Sequence, residues 1–186
     1  MLNIFKTIYH FFTLRKANSS YSRKLDYLRK LGVNIGDRTR LNCSVMAFGT
    51  EPYLITVGVD CLIAGGVNFI THDGGVKVLS DLNYFNGERM DIIAPIKIGN
   101  NVYIGTGAYI MPGVTIGDNC VIGASAVVTR DIPANSVAVG IPARVIRTID
   151  EYYQNAVDKG RLYPTARMTP SEKKEYFLNN KEQINL

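Results

Sequence analysis

The sequence predicts a mainly-β fold in which short strands wind into a triangular coil, with a helical segment at each end and one excursion out of the coil. Three observations predict it. Ile98, Ile104, Ile110, Ile116, Ile122 and Val128 follow one another at intervals of six without a gap. Gly99, Gly105, Gly117 and Gly123 recur one place later, and Val102, Ala108, Val114, Cys120 and Ala126 recur four places later. Between Phe69 and Ile98 the count is not a multiple of six, so the chain must leave the coil there and return.

A period of six is neither the 3.6 of an amphipathic helix nor the alternation of a hairpin strand. If each hexad is a short strand and a tight turn, the aliphatic residue points into a narrow prism. The small residue four places on fills a corner, and glycine or asparagine takes the turn. Three such strands make one coil, and stacked coils bury a continuous column of Ile and Val. The same register appears more raggedly upstream, in Ile35–Arg40, Leu41–Met46, Val57–Leu62 and Ile63–Asn68. Cys61 and Cys120 then fall in the small corner slot and read as apolar filler, not as reactive thiols. Cys43, Cys61 and Cys120 show no metal-like spacing, which suits reduced thiols in a cytoplasmic protein.

Three segments follow: an N-terminal amphipathic helical segment (1–32), the coil (33–147, with its excursion at about 73–95) and a C-terminal helical tail (148–186). The hydrophobic fraction of 46% and charged fraction of 20% exclude general disorder. Lys6, Arg15, Lys16, Arg23, Lys24, Arg29 and Lys30 stand against a single acid, Asp26, in the first thirty residues. That segment alone exceeds the chain's net charge of +5, so the body is not a basic nucleic-acid-binding surface. Its opening, MLNIFKTIYHFFTLRK, is too short and too polar to span a bilayer, and it lacks the apolar run and cleavage site of a secretory signal. Ile4, Phe5, Ile8, Phe11 and Phe12 are expected to pack on the protein's own body or a neighbouring subunit; the alternative is peripheral contact with an anionic membrane face. In the tail, Thr148-Ile149-Asp150-Glu151 and Thr169-Pro170-Ser171-Glu172 are capping-box patterns, each opening a helix expected to cover a flank or end of the coil.

The excursion begins in NFITHDGG, where His72, one of only two histidines, marks the break in the repeat. Long insertions in a regular solenoid tend to carry binding groups. Imidazole titrates near neutral pH, which suits proton transfer during attack by a hydroxyl. A lone histidine is otherwise more often a satisfied, partly buried side chain.

The chain resembles the left-handed β-helix, hexapeptide-repeat acyltransferases, especially the sugar O-acetyltransferases of the galactoside, maltose and capsular polysaccharide group. The resemblance covers residues 33–147 and rests on FGTEPYLITVG (48–58), FITHDGG (69–75), PIKIGNNVYIG (95–105) and PGVTIGDNCVIGASAVVTRDIPANSVAVGIPARVI (112–146). It implies a homotrimer with acetyl-CoA in the groove between adjacent prisms, no metal, and His72 as general base. It further implies acceptor contacts from Glu51 and Asn42, with Glu51 equally readable as a solvated loop acid. Tyr103 stands where relatives carry a tryptophan against the catalytic histidine. For acetyl-CoA it points to backbone groups at Thr106 and Ala124, to Thr129, and to Arg130 and Arg144 at the CoA phosphates, where guanidinium can bind in a forked geometry.

Asp81, Asn83, Tyr84, Asn86 and Glu88 in the excursion could meet a polar acceptor, but no spacing names a particular sugar; a polysaccharide precursor is one candidate. Two other readings stay open, acetylation of an antibiotic and a non-enzymatic scaffold. The carbonic anhydrases of this fold hold zinc with three histidines, which His10 and His72 cannot supply. Serine acetyltransferases carry a large helical N-terminal domain, for which the segment before the first hexad is too short.

Overall fold

The computed structural model describes residues 2–180, with the side chains of residues 2–8 and of His10 outside that description. Two helices lead in, α1 (Leu2–Ala17) and α2 (Tyr21–Lys30). Ser20 caps α2 by accepting from the Arg23 N–H, and Leu28 is fully buried beneath the helix. From α2, Tyr21 donates its hydroxyl to the Thr39 carbonyl and Lys24 donates its ammonium to the carbonyls of Leu41 (3.0 Å) and Cys43 (2.5 Å). Backbone acceptors at the start of the coil are thus satisfied by side chains.

The coil begins with β1 (Asn34–Ile35) and β2 (Arg40–Leu41), then two 3-10 turns, Val45–Phe48 and Pro52–Leu54. It continues through β3 (Ile55–Val57), β4 (Leu62–Ile63) and β5 (Asn68–Phe69). The excursion holds β6 (His72–Asp73), α3 (Val76–Asp81) and β7 (Ile92–Ile93). Regular winding resumes with β8 (Ile96–Ile98), β9 (Tyr103–Ile104), β10 (Tyr109–Ile110), β11 (Thr115–Ile116), β12 (Val121–Ile122) and β13 (Val127–Val128), and closes with β14 (Ser136–Gly140) and β15 (Ala143–Thr148).

The strands are dealt in turn to three faces: β1-β3-β8-β11, then β2-β4-β9-β12-β14-β15, then β5-β10-β13. Pairing is parallel and three hexads out of phase, with Ile98 against Ile116, Ile104 against Ile122 and Ile110 against Val128; only β14–β15 is an antiparallel pair within these faces. The periodic aliphatics and the corner residues predicted from the sequence are all buried. Each buried Ile or Val contributes about 1.5–3 kcal/mol by leaving water.

Turns between the first and second faces place Asp60, Asn101, Asn119 and Asn135 at positive φ, where short polar side chains are tolerated. Asn101, Asn119 and Asn135 are linked by successive amide hydrogen bonds of 2.9 Å, which tie one coil to the next. Glycine is required at Gly105: a Cβ there would lie 2.5 Å from the Ala124 nitrogen of the coil above.

Raggedness upstream has a local cause. On the third face the first coil has no strand, and the 3-10 turn Val45–Phe48 takes its place, with the Phe48 ring 5.0 Å from that of Phe69. Nor is the excursion as irregular as its sequence suggests. β6 and β7 form a two-stranded antiparallel stem, His72 opposite Ile93, with the Ala94 N–H donating to the Thr71 carbonyl at its base.

The chain divides after Ile149 into two compact units. In the second, α4 (Ile149–Asp158) begins directly after Thr148, and α5 (Pro170–Asn179) starts at a complete capping box: Thr169 Oγ1 accepts from the Glu172 N–H while the Glu172 carboxylate accepts from the Thr169 N–H. Tyr163 meets Phe177 edge to face. At the N-terminus, Ile4, Phe5 and Ile8 lie outside the described side chains, while Phe11 and Phe12 are exposed in the single chain.

Candidate active site

The chain enters the excursion from the third face, where β5 ends at Phe69. Thr71 is buried at the foot of the stem, and His72 emerges from it with about half its side chain exposed, at 48%. Facing it is the turn between the two 3-10 segments. Gly49 at φ 64° bends that turn, and Glu51 follows at the entry to Pro52–Leu54.

Glu51 is where these segments meet. Its Oε2 lies 3.0 Å from His72 Nδ1 and accepts the Thr71 hydroxyl at 2.6 Å, and its Oε1 accepts the Thr50 hydroxyl at 2.7 Å. Only 18% of the side chain is exposed. Donation by Thr71, Thr50 and His72, in that order of effect, favours the charged form and lowers the Glu51 carboxyl to about 2. The carboxylate therefore carries no proton to donate at neutral pH, and the contact requires His72 Nδ1–H to be the donor. That leaves Nε2, the other ring nitrogen, directed away from Glu51. Asp73 does not compete for the imidazole, because its Oδ1 accepts from the Gly75 N–H.

The structure gathers only some of the predicted residues around His72. Glu51 is there, turned to the imidazole and not free toward solvent. Asn42, exposed just after β2, makes no side-chain hydrogen bond among the described residues. Tyr103 lies on the second face, in a cleft of about 280 Å³ with Arg40, Asp60 and Asn101, and His72 is not part of its lining.

Thr106 and Ala124 occupy equivalent turns on adjacent coils, between the second and third faces, where the Thr106 carbonyl accepts from Ser125. The backbone N–H groups of Thr106 and Ala124 find no acceptor among the described residues, and these two exposed residues stand one above the other along that edge. Thr129 and Arg130 follow β13 on the third face, exposed, at the same edge from which His72 leaves β5 two coils away. Arg144 lies on β15, paired with Val139, its guanidinium donating to the Ala143 carbonyl at 2.8 Å. The excursion residues Asp81, Asn83, Tyr84, Asn86 and Glu88 are exposed, with Asp81 in an ion pair with Lys77.

Thr50 and Thr71 were not anticipated as site residues. Their only signal is adjacency: each precedes a singled-out residue, in GTEP and ITHD. Burial of Thr71 is a tertiary fact that adjacency does not contain. The three cysteines are buried, and burial raises each thiol, Cys43 to about 11, which removes them as nucleophiles.

Residues 95–130 match the family described as bacterial transferase hexapeptide (six repeats). Over 170 residues the chain is 42% identical to Protein CapG of Staphylococcus aureus, covering 91% of this chain and 93% of that one. The chain belongs to the hexapeptide-repeat acyltransferases. Among solved structures of this family, a galactoside acetyltransferase in complex with coenzyme A is similar at 30% identity and a TM-score of 0.54, over 79% of this chain and 82% of that one. A hexapeptide-repeat acetyltransferase of Vibrio cholerae O1 biovar eltor, complexed with acetyl coenzyme A, is similar at 25% identity and a TM-score of 0.59, over 73% of this chain and 82% of that one. As in any acyltransferase of this kind, the chemistry needs a base, an acyl donor site and room for an acceptor. Among the described residues no cluster of metal-ligating side chains occurs.

Proposed function

We propose that the protein is an acetyl-CoA-dependent O-acetyltransferase acting on a sugar hydroxyl, with His72 as general base. Residues 33–147 form its catalytic domain, a left-handed β-helix that works as a trimer. The observation that carries this reading is the hold of Glu51 on His72 Nδ1, which turns Nε2 away from the carboxylate at the mouth of the excursion. His72 Nε2 takes the acceptor hydroxyl proton as the oxygen attacks the thioester carbonyl carbon. The C–O bond forms, the tetrahedral intermediate collapses with loss of the C–S bond, and His72 returns the proton to the CoA thiolate. No acyl-enzyme is needed.

The unpaired N–H groups of Thr106 and Ala124 suit the carbonyls of the pantetheine arm, and Thr129, Arg130 and Arg144 suit the adenosine phosphates. Tyr103 lies in a cleft whose lining does not include His72, so in this reading it and Asn42 serve the site of a neighbouring subunit. The likeness to a galactoside acetyltransferase supports a sugar, and the exposed amides, acids and Tyr84 of the excursion suit one.

The test is CoA release from acetyl-CoA by wild type and His72→Ala with sugars, nucleotide sugars and chloramphenicol as acceptors. Sugar-dependent release that disappears in the variant is the expected result. Release with chloramphenicol alone would make the protein an antibiotic-modifying enzyme. Release with no acceptor, together with no thermal stabilisation by CoA, would overturn the enzymatic reading.

A further inference from the structure

The net positive charge of this chain is concentrated in its first thirty residues, and the catalytic reading uses none of the cations there. In α1, Leu14 packs against the core and Ala17 is buried, which defines the helix face turned inward. At about 100° per residue, Phe12 comes round on the opposite side, with Lys16 and Tyr9 to one flank of it and Phe11 to the other. Tyr9 and Phe12 are 76% and 60% exposed, and Phe11 stands beside Phe12 with ring centroids 5.8 Å apart.

Next to this aromatic face, α1 and α2 enclose a groove of about 220 Å³ lined by Thr13, Lys16, Ala17, Arg23, Asp26, Tyr27 and Lys30. The cations of α2 are sorted between two sides. Lys24 and Arg29 turn to the body and donate to backbone carbonyls at Leu41, Cys43 and Ile35. Arg23 and Lys30 line the groove with Lys16, and none of the three is in an ion pair among the described residues; the Arg23 guanidinium donates to the Ser19 hydroxyl. Asp26 is the single acid there.

We propose that the outer face of α1 and α2 is a docking surface for an anionic lipid bilayer. Phe12, Phe11 and Tyr9 enter the boundary between headgroups and acyl chains, and Lys16, Arg23 and Lys30 meet lipid phosphates. Rings and ammonium groups on one face match the layering of a bilayer surface, apolar below and negative above. Charge argues against a two-fold contact through this patch, which would set its cations against themselves; a contact with a different face of a neighbouring subunit is the alternative that the oligomeric mass separates below. No helix among the described residues is long and apolar enough to cross a membrane, so the contact is peripheral. Docking would present the active site to acceptors held at that surface, although the binding itself does not depend on the acetyl-transfer reading.

The test is co-sedimentation of the full chain with vesicles of phosphatidylcholine alone or with added phosphatidylglycerol, at low and moderate salt. Wild type is expected to partition onto anionic vesicles only, and less so as salt rises. Lys16→Gln and Lys30→Gln should each weaken partitioning about fivefold, and Tyr9→Ser with Phe12→Ser should abolish it. Thermal melting should stay unchanged in all, since these side chains are exposed. Equal partitioning onto neutral vesicles, or none onto anionic ones, would overturn the proposal. So would an aromatic variant that lowers the oligomeric mass in solution while leaving partitioning intact, which would assign the face to a neighbouring subunit.

Discussion

The coil from β8 to β13 and the stem formed by β6 and β7 are both built of two- or three-residue strands, yet they treat the same side chain in opposite ways. Ile98, Ile104, Ile110, Ile116 and Ile122 are buried, whereas Ile92 and Ile93 of the stem are exposed. Two strands by themselves have no inside, and a wound coil has one because its three faces enclose a column to which each strand turns its aliphatic residue. Apolar burial therefore holds the coil together, while the stem is held by its single pairing and by polar contacts through Glu51. Stability and chemistry are thereby divided between neighbouring parts of one chain.

That division can be broken at either end. His72→Ala should lower acceptor-dependent CoA release by about 10²–10⁴-fold and leave the melting temperature unchanged. Ile110→Ala should do the reverse, costing about 2–5 kcal/mol in denaturant unfolding with kcat per folded molecule preserved. If the Ile110 variant keeps its stability but loses catalysis, the comparison fails.

Glu51→Gln sharpens it, because Glu51 lies in an early turn of the coil and holds the foot of the stem. The imidazole remains but is no longer held in one tautomer, so kcat/KM should fall on the order of tenfold to a hundredfold, short of the ~10⁴-fold that a wrong tautomer costs a buried triad. The pH dependence has a definite sign. Glu51 is lowered from its ordinary 4.5 to about 2, so its contribution to stability is complete above about pH 4.5 and is lost as pH falls from there through 2. The melting temperature of wild type relative to Glu51→Gln should be constant above pH 5 and converge below it. Because Glu51 stays ionised throughout, the acid limb of kcat/KM should show one ionisation, not two.

The smallest effect is expected at Cys120. Cys120→Ala exchanges one corner filler for another and should cost at most about 1 kcal/mol, with activity intact. Loss of activity would mean that the thiol does chemistry which its burial argues against.

Much of this was legible in the residues because a period is a collective signal. Six aliphatics and five corner residues in one register cannot all be satisfied by a helix or a flat sheet, so the faces, the buried column and the point of exit at His72 could all be counted out. Upstream the reading blurred, because the third side of the first coil is a 3-10 turn and Phe48 fills the place of a strand. His72 was legible for its position. The partnership of Glu51 was not, since Glu51 reads equally as a solvated acid, and twenty-one residues of chain separate it from the histidine. The two threonines that complete the carboxylate's hydrogen bonds carried no pattern at all.

By itself, then, the sequence determined the coil, because burial at a fixed period is a local rule repeated until only one winding satisfies it. It also determined the histidine at the exit and the unequal placing of charge. Only the tertiary structure decided that Glu51 faces inward to His72, that Thr50 and Thr71 keep it ionised, and that the N–H groups of Thr106 and Ala124 stand unpaired on one edge. It also sorted the cations of α2 between backbone and solvent. These are matters of distance between segments far apart in the chain, and a hydrogen bond depends on tenths of an ångström that no residue pattern encodes.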